Sequence, residues 1–181
     1  MRALFEIDAA MADVVARSTD PALGRIKLAW WRERLEALDS GPPPAEPRLR
    51  AVAEYLVPLG VSGAQLAELE SGWATLVDES VDPQLVARRG ESLFRIGGTI
   101  LGGGDDELEL AGALYALASV ARRGVPELSE PAKPYLEHLR GHRFDQKVRP
   151  LTMLARAAIF EGPDRAMSLA MLAHRWSGRI G

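Results

Sequence analysis

The amino-acid sequence predicts an all-α protein, a single-domain helical bundle of about eight or nine helices. Apolar residues recur at steps of three and four over most of the chain, and no segment alternates convincingly as a β-strand would. Short glycine- or proline-rich breaks separate the helical segments, and several segments begin with residues that cap helices. The chain has 181 residues and neither a fixed-period repeat nor a long linker, so we expect residues 1–181 to form one domain.

The first two helices are predicted over residues 3–17 and from Pro21 to about Asp39. Asp20 supplies an N-cap for the second helix, and proline fits its first position. This helix is expected to have a wide buried face, because its apolar residues form two adjoining rows. One row has Leu28, Trp31, Leu35 and Leu38, and the other has Leu23, Ile26 and Trp30.

The next segment begins with a proline-rich connection at residues 40–44, which is followed by a third helix over about 47–58. Ser62 and Gln65 match the capping box and open a fourth helix. The apolar residues in register along this fourth helix are Leu66, Leu69, Trp73 and Leu76.

The fifth helix is predicted to begin at Asp82-Pro83 and to reach Leu101. Glycines at 97 and 98 indicate close backbone packing or a kink near its end. Three glycines at 102–104 then break the chain, and Asp105 is expected to cap a sixth helix. Prolines at 126–134 predict a loop and a short seventh helix, and two further helices are expected over about 150–160 and from about 162 to near 177.

Composition and charge exclude several classes of function. The chain has 22 basic and 25 acidic residues and a net charge of −3, which disfavours nucleic-acid binding. It has no cysteine, so disulfides, thiol catalysis and cysteine-ligated zinc are excluded. We expect no metal and no cofactor. The chain has no signal-peptide pattern and no run of about 20 apolar residues, so a cytoplasmic location is expected, with peripheral contact at the inner membrane left open.

Two N-terminal segments carry a resemblance to a known family. Residues 4–16 resemble the first motif region of squalene and phytoene synthases, and L-A-W-W-R-E-R-L at 28–35 resembles their second-helix pattern. The second pattern is most similar to a branch of non-catalytic relatives that includes a mitochondrial respiratory complex I assembly factor, and residues 144–151 resemble bacterial members of that branch. The resemblance spans most of the chain and is sharpest over 4–38. It implies an isoprenoid-synthase-like fold, from which an upstream N-terminal helix is expected to be missing.

The resemblance also shows that the metal-binding aspartates of such enzymes are missing at the first motif. Head-to-head prenyl transferases hold the leaving diphosphate through magnesium ions, and these bind carboxylates that share one helix face. Here the corresponding positions are Ala12 and Ala16. Asp13 is the acid that remains, and Asp8, five residues earlier, is a poor match for the same face.

The second motif is expected within residues 113–123, and it is equally degenerate. Tyr115 stands where the family has glutamine, Ala118 stands where it has asparagine, and arginines at 122 and 123 replace the aspartate region. The resemblance therefore implies a protein with degenerate aspartate motifs that does not catalyse the family's reaction. The expected function is isoprenoid or lipid binding, or assembly of a respiratory complex with a protein partner.

Two alternatives stay open. An active head-to-head prenyl transferase, condensing prenyl diphosphates with rearranged magnesium ligands, needs at least two carboxylates at one central cavity. The candidates for those ligands are Asp8 and Asp13 with Asp105 or Asp145. A structural helical module, in contrast, would have its cavity packed shut.

The candidate binding residues fall into two sets. Those proposed to line an isoprenoid or lipid pocket are Leu28, Trp31, Leu35, Leu114 and Tyr115. Tryptophans on a bundle helix are more often plain core, so core packing is the competing interpretation. Those proposed to contact an anionic headgroup or a protein partner are Arg143, Lys147 and Arg149. A solvated connection with local salt bridges competes with the second interpretation.

Two further segments have competing interpretations. Residues 105–109 spell D-D-x-x-E, which is typical of a metal motif, but acidic residues at a helix start are more often caps. The last helix has Leu172, Arg175, Trp176 and, just beyond it, Arg179. It is expected either to lie on a membrane surface or to close the bundle, with its basic end complementing the helix dipole.

Overall fold

The computed structural model describes residues 1–180, with side chains described everywhere except at 164 and 165, and every regular element in this range is helical. The α-helices are α1 (Arg2–Arg17), α2 (Pro21–Glu36), α3 (Pro47–Tyr55), α4 (Gly63–Ala67), α5 (Leu69–Ala74), α6 (Pro83–Leu101), α7 (Leu108–Arg122), α8 (Ser129–His138), α9 (Arg149–Ala158) and α10 (Asp164–Ser177). Only Glu68 separates α4 from α5, so these two form one bent helix. The predicted all-α bundle is confirmed.

Side-chain caps set three of the predicted helix starts. The carboxylates of Asp20 and Asp82 each accept the backbone N–H two residues further on, at 2.8 Å. At α4, Ser62 and Gln65 exchange hydrogen bonds with each other's backbone N–H groups. Each cap satisfies donors that the first helical turn leaves unpaired, and all three predicted starts are confirmed.

The bundle is arranged around the pair α6 and α7. α5 packs on α6, α8 and α9 pack on α7, and α10 packs on α9. On the other side, α1 and α2 pack against each other and against α5. One apolar core connects these helices and extends from Ala3 in α1 to Ile180 beyond α10.

α6 and α7 cross with their backbones in contact at Gly90 and Gly112. A Cβ atom added to Gly90 would lie 2.0 Å from the carbonyl oxygen of Gly112, and one added to Gly112 would lie 2.1 Å from that of Gly90. Only glycine permits this approach, because any larger residue would push the two backbones apart. The predicted close packing of Gly97 and Gly98 is also present, and Gly97 lies against the side chain of Leu151.

α2 buries one of its two apolar rows and leaves the other in solvent. The row that contains Leu28 is buried as predicted. The second row is exposed, Ile26 by 66 %, and we call it the exposed row of α2: Leu23, Ile26 and Trp30. The prediction of a wide buried face is wrong, because α2 lies on the outside of the bundle and its neighbours α1, α4 and α5 cover one side only.

A buried histidine fastens α10 to α9. His174 Nδ1 lies 2.8 Å from the carbonyl oxygen of Arg179, which can only accept, so Nδ1 carries a proton. His174 Nε2 lies 2.9 Å from the hydroxyl of Thr152 in α9 and accepts a hydrogen bond from it when the ring is neutral. Burial is the main cause that lowers the pKa of His174 below its usual value, so the neutral ring is favoured.

Replacing Gly90 by alanine should destabilise the fold, because the added methyl group overlaps the backbone of α7. We expect Gly90→Ala to lower the free energy of unfolding by about 2–3 kcal/mol in urea denaturation. Gly104→Ala is the matched control, since a Cβ atom there meets no other atom within 4 Å. It should change the free energy of unfolding by less than about 0.5 kcal/mol. Equal effects at the two positions would contradict the close crossing of α6 and α7.

Acidification should weaken the attachment of α10. Folding lowers the pKa of His174 below its usual value of about 6.5, so the unfolded chain takes up a proton first as the pH falls. The contribution of the neutral ring to the free energy of unfolding is therefore fully present above a pH of about 6.5, and it is lost as the pH falls below that value. We expect His174→Gln to flatten this loss in urea titrations, while His138→Gln, at an exposed histidine, preserves it. The same acid dependence in the His174→Gln variant and the wild type would refute the assignment.

Candidate functional site

A buried ion pair joins α1 to α6. Asp8 Oδ1 accepts hydrogen bonds from Arg89 Nη1 at 2.7 Å and from Trp73 Nε1 at 2.8 Å. The guanidinium carbon of Arg89 lies 3.9 Å from the centre of the Trp73 ring, and the arginine side chain is only 2 % exposed. We call these three residues the Asp8 cluster. Because Asp8 neutralises Arg89 and binds the indole, its carboxylate has a structural role.

Arg89 is the member of the Asp8 cluster that the sequence analysis missed. It lies on the buried face of α6, between Val86 and Leu93 at helical spacing. Asp8 lies in the same way on the buried face of α1. The buried face of each helix is otherwise mainly apolar and has one charged residue, and the two charges are of opposite sign. Because a buried charge without a partner is very costly, this pattern indicates that the two side chains form a pair.

Tyr115 of α7 lies within electrostatic range of the Asp8 cluster. Its ring stacks on Phe94 of α6 with the ring centres 5.4 Å apart. Burial raises the pKa of the Tyr115 phenol and the charge of Asp8 raises it further, whereas Arg89 and Arg123 act in the opposite direction. The phenol therefore stays protonated at neutral pH.

A small pocket lies between α1, α5 and α7, where the resemblance places both aspartate motifs. Its volume is about 270 Å³, and we call it the α1–α7 pocket. Trp73 belongs both to this pocket and to the Asp8 cluster, so the cluster supports the pocket wall. The complete lining is Ala12, Asp13, Val15, Ala16, Trp73, Leu76, Val120, Arg123 and Val125.

The α1–α7 pocket offers apolar walls and one charge of each sign. Ala12 and Ala16 present methyl groups at the positions where the resemblance implies carboxylates. Asp13 is 58 % exposed and lies 3.6 Å from a guanidinium nitrogen of Arg17. Within the part of the chain that the structure describes, no three His, Cys, Asp or Glu side chains are placed to hold a metal ion. Arg123 is the cation that a bound anionic group would meet.

The five residues predicted to line a pocket belong to one apolar core but do not line a common cavity. Leu28 and Leu35 are fully buried in the core, and Tyr115 is stacked as described above. Trp31 lines a surface cavity of about 290 Å³, and Leu114 lines another of about 300 Å³ between α7, α8 and the end of α9. Helical periodicity identifies the inward faces of α2 and α7, but it does not say which inward faces meet.

The carboxylates required by the prenyl-transferase alternative lie in different places. Asp8 is part of the buried cluster, whereas Asp13 is exposed on the next turns of the same helix. Asp105 accepts hydrogen bonds from His142 Nε2 at 2.8 Å and from the backbone N–H of Asp145 at 3.0 Å. Asp105 and Asp145 therefore link the turn after α6 to the segment before α9, and none of these contacts includes Asp8 or Asp13.

The sequence predicts that Asp105, in the D-D-x-x-E segment at 105–109, caps the helix α7, and this prediction is wrong. α7 begins at Leu108, and Asp105 accepts the backbone N–H of Glu107 in the preceding turn, at 3.1 Å, so it does not cap the helix. The glycine-rich turn at 102–104 brings this carboxylate beside the segment 142–147. Lys147, a predicted anion contact, strengthens the linkage, since its Nζ donates to the carbonyl oxygen of Gly102 at 3.0 Å.

Arg143 and Arg149, the other predicted anion contacts, line a second pocket, which has a volume of about 460 Å³. Arg149 Nη1 donates to the carbonyl oxygens of Arg175 and Trp176 at 2.9 and 3.2 Å, at the end of α10. Its Nε donates to the carbonyl oxygen of Phe144 at 3.2 Å. We call this the α9–α10 pocket, and its remaining lining residues are Gln146, Pro150, Met153, Arg175 and Trp176.

The two aspartates of α1 should differ sharply in their effect on stability. Asp8→Ala leaves a buried arginine unpaired, and we expect it to lower the free energy of unfolding by about 3–5 kcal/mol. Asp13→Ala is the control on the same helix and should cost less than about 0.5 kcal/mol, because its ion pair with Arg17 is exposed. Urea denaturation measures both. The double replacement Asp8→Leu with Arg89→Met should lose less stability than Asp8→Ala, and a larger loss would contradict the pairing.

No protein-family model, no curated protein and no solved structure matches this chain. Among the helices of residues 1–180, none combines the length and the apolar character that crossing a bilayer requires. A functional proposal therefore rests on the resemblance of the N-terminal segments and on the geometry of the Asp8 cluster and of the two pockets.

Proposed function

We propose that this protein is a non-catalytic binding protein with degenerate squalene/phytoene synthase motifs, and that it takes an isoprenoid or lipid chain into the α1–α7 pocket. The observation that carries this proposal is that Ala12 and Ala16 line the pocket where the resemblance implies metal ligands. A diphosphate would lack the magnesium ions that normally neutralise it there. An apolar chain suits these walls, because each Å² of apolar surface buried contributes about 25 cal/mol.

Arg123 supplies a positive charge for the polar end of such a ligand. It stands in the region where the resemblance implies aspartates, so the charge at this wall is opposite to that of a magnesium-dependent enzyme. An anionic headgroup would pair directly with a guanidinium, without a metal ion between them. The pocket volume of about 270 Å³ lies just below the range of about 300–1,000 Å³ typical of ligand sites, which favours a single chain over a bulky ligand.

Condensation of prenyl diphosphates is the less favoured function. It requires carboxylates around one cavity, whereas Asp8 is neutralised by Arg89 and Asp13 is exposed. A role in assembly of a respiratory complex rests on the resemblance of residues 28–35 to non-catalytic relatives. That role is compatible with binding of a ligand without turnover.

A binding assay with a pocket-filling variant tests the proposal. We expect farnesol to raise the melting temperature without magnesium, because a ligand that binds only the native state stabilises it. Ala16→Phe fills the α1–α7 pocket and should weaken binding at least about tenfold. Ala22→Phe, at an exposed alanine of α2, is the matched control and should bind like the wild type. An unchanged melting temperature of the wild type, or equal losses in the two variants, would count against the pocket.

Incubation with farnesyl or geranylgeranyl diphosphate and magnesium tests the absence of turnover. We expect no condensed C30 or C40 hydrocarbon, since Asp13 is the one carboxylate in the described lining of the α1–α7 pocket and a magnesium cluster needs several. Clear formation of such a product would establish the transferase function instead.

A further inference from the structure

The outer face of α10 is apolar and open to solvent. Leu169, Leu172 and Trp176 are exposed, Trp176 by 79 %, and their spacing places them on one side of the helix. His174 is buried and fastens α10 to α9. We call Leu169, Leu172 and Trp176 the α10 stripe. A single exposed leucine is ordinary, but a row of three large apolar residues that includes a tryptophan forms a patch.

Arginines flank the C-terminal end of the α10 stripe. Arg143, Arg149 and Arg175 line the α9–α10 pocket together with Trp176. Arg143 and Arg175 are exposed, and among the described side chains, which leave out those at 164 and 165, neither forms an ion pair. Arg149 donates to backbone carbonyl oxygens, which carry no net charge. The positive charge of all three side chains is therefore available to a partner.

The C-terminal segment that contains the stripe and the α9–α10 pocket has a net charge opposite to that of the rest of the chain. Residues 140–181 contain eight basic and three acidic residues and have a net charge of +5. The chain as a whole has a net charge of −3, so residues 1–139 have a net charge of −8. Charge complementarity thus favours an anionic partner at the α10 end of the molecule.

We propose that the α10 stripe and the arginines of the α9–α10 pocket form a docking surface for a membrane rich in anionic phospholipid. Tryptophan and leucine enter the interfacial region of a bilayer, where the indole has both apolar and polar surroundings. Arginines beside them pair with lipid phosphates. The α9–α10 pocket has Gln146 and three arginines around about 460 Å³, which gives room for one phosphate headgroup. An acidic protein surface would pair with the arginines alone. An anionic membrane would pair with the arginines and would also bury the apolar side chains of the stripe.

Vesicle sedimentation tests this docking surface. We expect the protein to bind vesicles of phosphatidylcholine with roughly 30 mol % phosphatidylglycerol, and not vesicles of phosphatidylcholine alone. Arg143→Glu with Arg175→Glu should weaken this binding at least about tenfold. Arg34→Glu with Arg50→Glu reverses two exposed arginines elsewhere and should have a much smaller effect. Equal binding to both vesicle types, or equal losses in both double variants, would overturn the proposal.

The contribution of the stripe has its own matched control. Leu172→Ser with Trp176→Ser should abolish vesicle binding, whereas Ile26→Ser with Trp30→Ser, in the exposed row of α2, should preserve it. In the wild type, anionic vesicles should shift the tryptophan emission to shorter wavelength. Trp176→Phe should remove this shift and keep most of the binding, because phenylalanine is still apolar. A shift that persists in Trp176→Phe would exclude α10 as the inserted element.

Docking at α10 does not depend on the ligand proposed for the α1–α7 pocket. Ala16→Phe should therefore bind anionic vesicles like the wild type, and the Arg143→Glu/Arg175→Glu variant should still bind farnesol. Loss of vesicle binding in Ala16→Phe would show that the two sites are one, and would overturn the separate docking surface.

Discussion

The ion pair between Asp8 and Arg89 is the interaction on which the rest of the structure depends. It joins the first helix to the central helix α6 away from solvent, and Trp73 adds α5 through the same carboxylate oxygen. Neither charge is tolerated there alone, because a buried charge without a partner is strongly destabilising. The pair therefore fixes which face of α1 turns inward. With that face fixed, Ala12 and Ala16 are presented to the neighbouring pocket.

The same pair explains why a segment that resembles a metal-binding helix is not organised as one. Asp8 is paired with an arginine, Asp13 is exposed, and Arg123, directly after α7, lies where the resemblance implies a carboxylate. What is left between the helices is a small apolar space with a cation at its wall. The function proposed for such a space is recognition of a chain and its headgroup, because the fold itself does not decide between binding and turnover.

Local chemistry made the helices predictable, because a cap acts on the residues next to it. Asp20, Ser62 and Asp82 open helices as the sequence indicates. The predictions that failed depended on distant partners. Periodicity defines two apolar rows on α2, but the positions of α1, α4 and α5 decide which one is buried. The position of Asp105 before a helix predicts a cap, but in the fold its carboxylate binds residues in the distant segment 142–147. For the same reason Arg143 and Arg149 were predictable as candidates, but their common pocket with Trp176 was not.

The contact between Gly90 and Gly112 also bears on how distant relatives can be recognised. Catalytic motifs disappear when a function changes, whereas a crossing that leaves no space for a side chain is required for as long as the architecture is kept. The architecture therefore constrains two glycines 22 positions apart, together with Arg89 directly before the first of them and the inward Asp8 and Trp73 upstream. A homology search weighted on these positions would follow the scaffold and would not depend on the aspartate motifs.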